Sequence, residues 1–274
     1  MIAIRVFLCL VAVATVACDD NPDERTLLQA PRLLAVRAEP PVLRGMDGVV
    51  TLSALAVTKE GMEADGKTVQ YRACDPWAFM VSPERDCPSE TSLLLENGEL
   101  TTEQLFSFYP PPEGQGYDPG DGGVPQESCE EPATIEVPVL AEVEIDGVSL
   151  VTVKRIPIFL DESGRRNPSL DTIAVVATDG DERTLAIEVD PSSLDQECRD
   201  GARQLEAVRI YVYSTSGSFE SSSVDIVPTP GGAIEPAEIR WTSDGESAIL
   251  LFVVIDNEGG VDWRTLTLDE GSNE

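Results

Sequence analysis

Histidine is absent from the 274 residues. That one absence removes the Ser-His-Asp triad, the Cys-His dyad, the His-ligated zinc enzyme and the two-histidine iron site together. Basic residues are scarce as well. Nineteen Lys and Arg stand against 50 Asp and Glu, a formal net charge of −31. This argues against nucleic acid as a partner, because Lys and Arg are what neutralise phosphates. It equally argues against attraction to an anionic membrane surface. Aromatics are only 5% of the chain, so any core is built mainly from the aliphatic part of its 42% hydrophobic residues. There is no Cys-x-x-Cys and no Gly-x-Ser-x-Gly, and Gly114-Gln115-Gly116 lies among prolines rather than between a strand and a helix. Zinc ribbons, hydrolase elbows and dinucleotide fingerprints are therefore unsupported, and no cofactor is expected.

What is present begins at the N-terminus. Arg5 is the only charge in residues 1–17, and Val6 to Val16 is an eleven-residue run without one. A membrane span takes roughly 20 apolar residues, so this run is short for a span. A charged start, a short apolar centre and small residues at the end predict an export signal over residues 1–17. Thr15-Val16-Ala17-Cys18 resembles the bacterial lipobox, with Thr15 where Leu is usual. The resemblance implies cleavage before Cys18 and a diacylglyceryl anchor on it, whose buried CH₂ groups contribute about 0.8 kcal/mol each. Ordinary cleavage after Ala17 or Ala14 is the alternative. Residues 18–31, CDDNPDERTLLQAP, are acidic and aperiodic and read as a flexible lipidated tether.

With Cys9 in the signal and Cys18 at the anchor, four cysteines remain: Cys74, Cys87, Cys129 and Cys198. An even number in an exported chain favours disulfides. Cys74 and Cys87 flank a turn-rich segment and are the favoured pair. Cys129–Cys198 would then tie the two halves of the chain together, and Cys74–Cys129 is the rival.

From residue 32 onward, short alternating segments are separated by Gly and Pro turns: 34–38, 49–57, 68–73, 134–140, 141–145 and 148–160. Asp146-Gly147 is a strong two-residue hairpin signal. This predicts a first β-sandwich over 32–160 with a long insertion loop at 75–132, inside which Thr101 and Gln104 form a capping box for a helix to Phe108. Residues 161–171 are polar and breaker-rich and read as a linker. Segments at 172–177, 184–189, 207–213, 238–241, 248–255 and 261–268 predict a second sandwich over 172–274. The fold class expected is all-β, with two tandem immunoglobulin-like sandwiches.

The order of PRLLAVRAEPP, VTLSALAV, a cysteine near a tryptophan, YVYSTSGSFE, IRWTSDG and LLFVVIDNEGGVDWRTLTL is similar to a group of myxobacterial-type lipoproteins of uncharacterised activity. Their C-terminal module is immunoglobulin-like or PKD-like. The resemblance rests there on Thr215, Gly217 and Phe219, on Trp241, and on Val253, Val254, Asp256, Gly259 and Gly260. It implies architecture and carries no activity with it.

Acidic pairs offer calcium candidates by their oxygens alone: Asp179 with Asp181, Asp118 with Asp121, Asp256 with Glu258. None has EF-hand spacing, and among 50 acids such pairs arise by chance. Trp77, Trp241 and Trp263 could line a glycan or partner surface, or simply pack. The functional expectation is a lipid-anchored protein of the bacterial cell envelope, at the periplasmic face or cell surface. Its role is structural, adhesive or partner-binding and non-catalytic, with an envelope protein or glycan as partner. Alternatives are an accessory subunit of a secretion, motility or adhesion assembly, and a hydrolase that uses two carboxyls of displaced pKa.

Overall fold

Alternation at period two does become strands, and the turn chemistry sets their register. The computed structural model describes residues 25–45, 47–63, 68–77, 87, 90–110, 135–159, 165–199, 202–229, 232–257 and 259–269. In the first half these form β1 (Arg32–Glu39), β2 (Leu43–Arg44), β3 (Val49–Val57), β4 (Gln70–Ala73), β5 (Leu93–Leu95), β6 (Glu99–Thr101), helix α1 (Thr102–Phe108), β7 (Ile135–Ile145) and β8 (Val148–Phe159). One sheet has the order β1-β3-β6 and the other β2-β8-β7-β4-β5. Val36, Ala38, Val50 and Leu52 of the first face Tyr71, Ala73, Val137, Val139, Ile156 and Ile158 of the second across the core. Asp146 and Gly147 both take positive φ, 53° and 77°, as a type I′ turn requires. That turn locks β7 and β8 into unbroken antiparallel register along all 11 residues of β7.

The second half contributes β9 (Leu170–Asp179), β10 (Glu182–Val189), β11 (Gln196–Arg199), β12 (Ala202–Leu205), β13 (Val208–Ser214), β14 (Ser218–Phe219), β15 (Ser223–Ile226), β16 (Ala237–Thr242), β17 (Ala248–Asp256) and β18 (Val261–Leu268). Sheets β14-β16-β10-β9 and β15-β13-β17-β18 pack face to face, with β11-β12 as a separate hairpin. Leu185, Ile187, Ile239 and Trp241 meet Ile210, Val212, Leu250, Phe252 and Val254 in this core. The protein is all-β, built from two immunoglobulin-like sandwiches.

The sandwiches are not beads on a linker. β17, AILLFVVID, is apolar at nearly every position, the signature of a strand buried on both faces. Its even-numbered residues fill the second core. Its odd-numbered ones, Ile249, Leu251, Val253 and Ile255, pack with Leu28, Ala35, Leu55 and Val57 in a third cluster. Tyr211, Tyr213, Val261 and Trp263 join from β13 and β18. Sheet β1-β3-β6 is therefore sandwiched between the first core and the second domain, and three apolar layers run through the molecule.

Three segments expected as connections carry structure in their described parts. The linker of 161–171 is held in place in its described part: Arg166 donates to Ser192 and Asp195, Arg44 donates to the Arg165 carbonyl, and Ser169 N donates to Ser193 Oγ. The tether of 18–31 is docked from Leu27 on. Leu27 bridges to Ser214, the Leu28 amide donates to the Ser214 carbonyl at 2.8 Å, and Leu28 is buried. An apolar Leu-Leu pair inside an acidic stretch was the overlooked signal. The insertion of 75–132 holds β5, β6 and α1, whose Leu95, Leu100 and Leu105 belong to the first core. The expected capping box is present: Thr101 Oγ1 accepts from Gln104 N, and Thr101 N donates to Gln104 Oε1.

Candidate functional site

Strand β8 carries the anomaly from which the site is built. Ile158 and Ile156 point into the first core, and the same parity puts Lys154 next on the inward face. Lys154 is only 8% exposed. The sandwich is open here, because β1 ends one sheet while β2 covers β8 only at Ile158 and Phe159. Between the two edges lies a groove of about 440 Å³. Leu34, Ala35 and Val36 form one wall, Thr152, Val153 and Lys154 the other, and Ile255, Asn257, Gly259 and Val261 of the second domain close it.

Burial pushes the Lys154 ammonium down to about 8, and the negative charge of Asp256 works against that fall. Asp256 itself ends β17, where Oδ1 accepts the Gly260 amide at 2.7 Å. A side chain at Gly260 would run into that carboxylate and into Pro168, so glycine is required there by contact. Asn167 stitches the same seam. Its amide donates to the Ala38 carbonyl and the Glu39 carboxylate, both at 2.8 Å, while its oxygen accepts the Val261 amide at 2.8 Å. Arg37 crosses from β1 to Asp262 at 3.1 Å and lies 4.9 Å over the Trp263 ring. Asp262 Oδ2 also accepts the Leu170 amide at 3.3 Å. Beside the groove, Arg155 donates to Glu136 at 3.2 Å. A second recess of about 430 Å³ shares Ile255 and Asn257 with this one and holds the Arg209–Asp225 pair. Two bonds of 2.6 and 3.0 Å from Arg209 hold the Asp225 carboxyl below its ordinary range.

The residues singled out in the sequence scatter. Asp256 accepts the Gly260 amide, and its charge acts on Lys154. Asp179 and Asp181 flank Gly180 at the exposed β9–β10 turn. Asp118, Asp121 and Glu258 lie outside the described residues. Among the described residues no group of three or more His, Cys, Asp or Glu could hold a metal. The three tryptophans do not share a surface. Trp77 packs on the first core with its indole donating to the Tyr109 carbonyl at 3.2 Å. Trp241 is buried in the second, its indole donating to the Ser216 carbonyl at 3.2 Å. Trp263 belongs to the interdomain layer. Among the described residues the carboxylates whose affinities move go downward: Asp225, Glu60 by its bond with Thr58, and Asp190 by its bonds with Ser192.

Cys74 and Cys87 are bonded, with Cα atoms 5.3 Å apart, which excludes Cys74–Cys129. Cys129 lies outside the described residues, as does the side chain of Cys198 on β11. Neither Lys154 nor Asn167 was anticipated. A lysine at core parity in VSLVTVKRIPIF was a readable signal for the first. An asparagine in a polar linker gave none for the second.

No family model and no curated protein matches the chain. Among solved structures, a Parabacteroides merdae β-glucuronidase aligns at 10% identity and TM-score 0.24 over 85% of this chain and 25% of its own. The Yersinia pseudotuberculosis adhesin InvE aligns at 11% identity and TM-score 0.24 over 85% of this chain and 58% of that one. The D00-D0 domain of intimin aligns at 10% identity and TM-score 0.23 over 85% and 98%. The chain thus spans a quarter of the glucuronidase and just over half of InvE. Superpositions this loose carry no conclusion about activity.

Proposed function

We propose that this chain is a lipid-anchored protein of the bacterial cell envelope that binds a partner and performs no catalysis. The observation that carries the binding role is the shared interdomain layer. Two sandwiches locked through Leu55, Val57, Leu251 and Val253 make one stiff body that presents fixed edges and grooves. The anchor rests on the lipobox-like Thr15-Val16-Ala17-Cys18 and the polar chain after it. Export agrees with the Cys74–Cys87 disulfide. The high negative charge keeps such a body soluble.

The test is the mass of the N-terminal peptide of the protein recovered from the membrane fraction of its native host. A diacylglyceryl adduct on Cys18, with residues 1–17 gone, is expected. An unmodified start at Cys18 or Thr15 would make this a soluble exported protein and remove the anchor from the reading.

A further inference from the structure

Among the described residues strand β8 is an edge over most of its length. Among the described residues no strand pairs with its outer side between Val148 and Pro157. Its register with β7 has no bulge, so the free edge is straight and long enough for a second strand. Val151 and Val153 stand on its outer face, 53% and 42% exposed. Across the groove β1 offers its own outer edge at Leu34, Ala35 and Val36. Among the described strands β8 alone carries two cations and no acid, Lys154 facing the groove and Arg155 paired with Glu136 of β7.

We infer that the groove between β1 and β8 accepts one extended, acidic segment of a partner protein, added as a strand along β8. Backbone hydrogen bonds to the unpaired edge supply affinity, and alternate side chains supply selection. On the outer face the incoming strand places β-branched or aliphatic residues beside Val151 and Val153, where cross-strand apolar pairs form. On the inner face it points a carboxylate at Lys154, whose ammonium lines the groove. A second copy of this chain is the poorer occupant, because it brings another −31 of charge. Another long edge strand, β9, is broken by register shifts and bears Asp171 and Asp179 near its two ends, so it fits an acidic strand badly. This inference rests on the partner-binding reading above and names the chemistry of the partner.

The probe is a phage-displayed library of random octapeptides selected against the full chain, with enriched peptides then titrated by fluorescence anisotropy. Enriched peptides are expected to alternate aliphatic or β-branched residues with Asp or Glu. Their affinity should fall about tenfold with Val153→Asp, which replaces an apolar cross-strand partner with a carboxylate. It should be unchanged with Val176→Asp on β9. Both positions are about half exposed, so neither variant threatens the fold. Lys154→Met should abolish the preference for acidic over amidated versions of the same peptide while aliphatic positions still matter. Failure to enrich any such pattern, or binding that follows Val176 rather than Val153, overturns the inference. In the latter case the partner-binding reading stands and only the groove is lost. An unmodified Cys18 would instead sink the anchor and leave the groove result untouched.

Discussion

Leu251→Ala tests whether the two sandwiches are one folding unit. Leu251 has no exposed surface and sits on the outer face of the second domain's sheet, against Leu55 and Val57 of the first. It contributes nothing to the second domain's internal core, which the other face of β17 fills. Removing a buried leucine costs about 2–5 kcal/mol, from lost transfer energy and the cavity left behind. With a urea slope of about 3 kcal/mol per molar, a loss near the middle of that range moves the unfolding midpoint by about 1 M. The assay is urea unfolding followed by pulsed hydrogen exchange and mass spectrometry, read on peptides from β7 and from β13. One cooperative unit predicts that both peptides shift together and by the same amount. Leu52→Ala, deep in the first core, should likewise move β13 as much as β7. If β7 keeps its wild-type midpoint while β13 shifts in Leu251→Ala, the layer between the domains is not holding them together and the reasoning fails.

Gly217→Ala should destabilise the second domain by about 1–3 kcal/mol in thermal unfolding, because φ is +68° and an added Cβ would press on the Trp241 ring and the Thr242 carbonyl; a change within error would refute that contact. Lys154 predicts a pH dependence measured as the stability difference between wild type and Lys154→Met. The unfolded lysine keeps its ordinary 10.5 and the folded one sits near 8, so below pH 8 both states hold the proton and burying the charge costs stability. Between pH 8 and 10.5 only the unfolded state holds it, so wild type gains up to about 3 kcal/mol relative to the variant as pH rises. A flat difference across that window would show that Lys154 is not desolvated.

Much of the architecture was legible because the physics is local. Asp146-Gly147 can adopt the two positive φ values of a type I′ turn, and the hairpin follows. Thr101 and Gln104 cap each other, and α1 follows. The motif around Gly217, Phe219 and Trp241 is legible in hindsight as packing: Phe219 pairs with Trp241 across β14 and β16 and meets Phe252 edge-on. What period-two reading passes over is a strand with no polar face. β17 shows no alternation, and its continuous apolar run was itself the sign that something covers its second side. The candidate site stayed hidden for a different reason. Lys154, Asp256 and Asn167 are far apart in sequence and come from three separate segments, so only the docking of one sandwich on the other brings them together.

Lys154 raises the question of why a charge is kept where an aliphatic side chain would cost less. A leucine there would continue the stripe of Ile158 and Ile156 to the open edge of the sandwich. The groove would then be an apolar slot beside an unpaired strand, which invites pairing with any sticky edge, including that of another copy. An inward-pointing ammonium disfavours this, since an apolar strand closing the groove would complete its desolvation and offer it no acceptor. Asp256 offsets the charge only in part: burial still outweighs it, and the carboxylate is shared with the Gly260 amide. An incoming carboxylate would supply what the folded chain does not. One side chain thus both rejects apolar strands and selects acidic ones, and specificity of that kind needs a repulsive element as much as an attractive one. The stability spent on burying Lys154 is then the cost of keeping a long edge strand open without letting the protein aggregate through it.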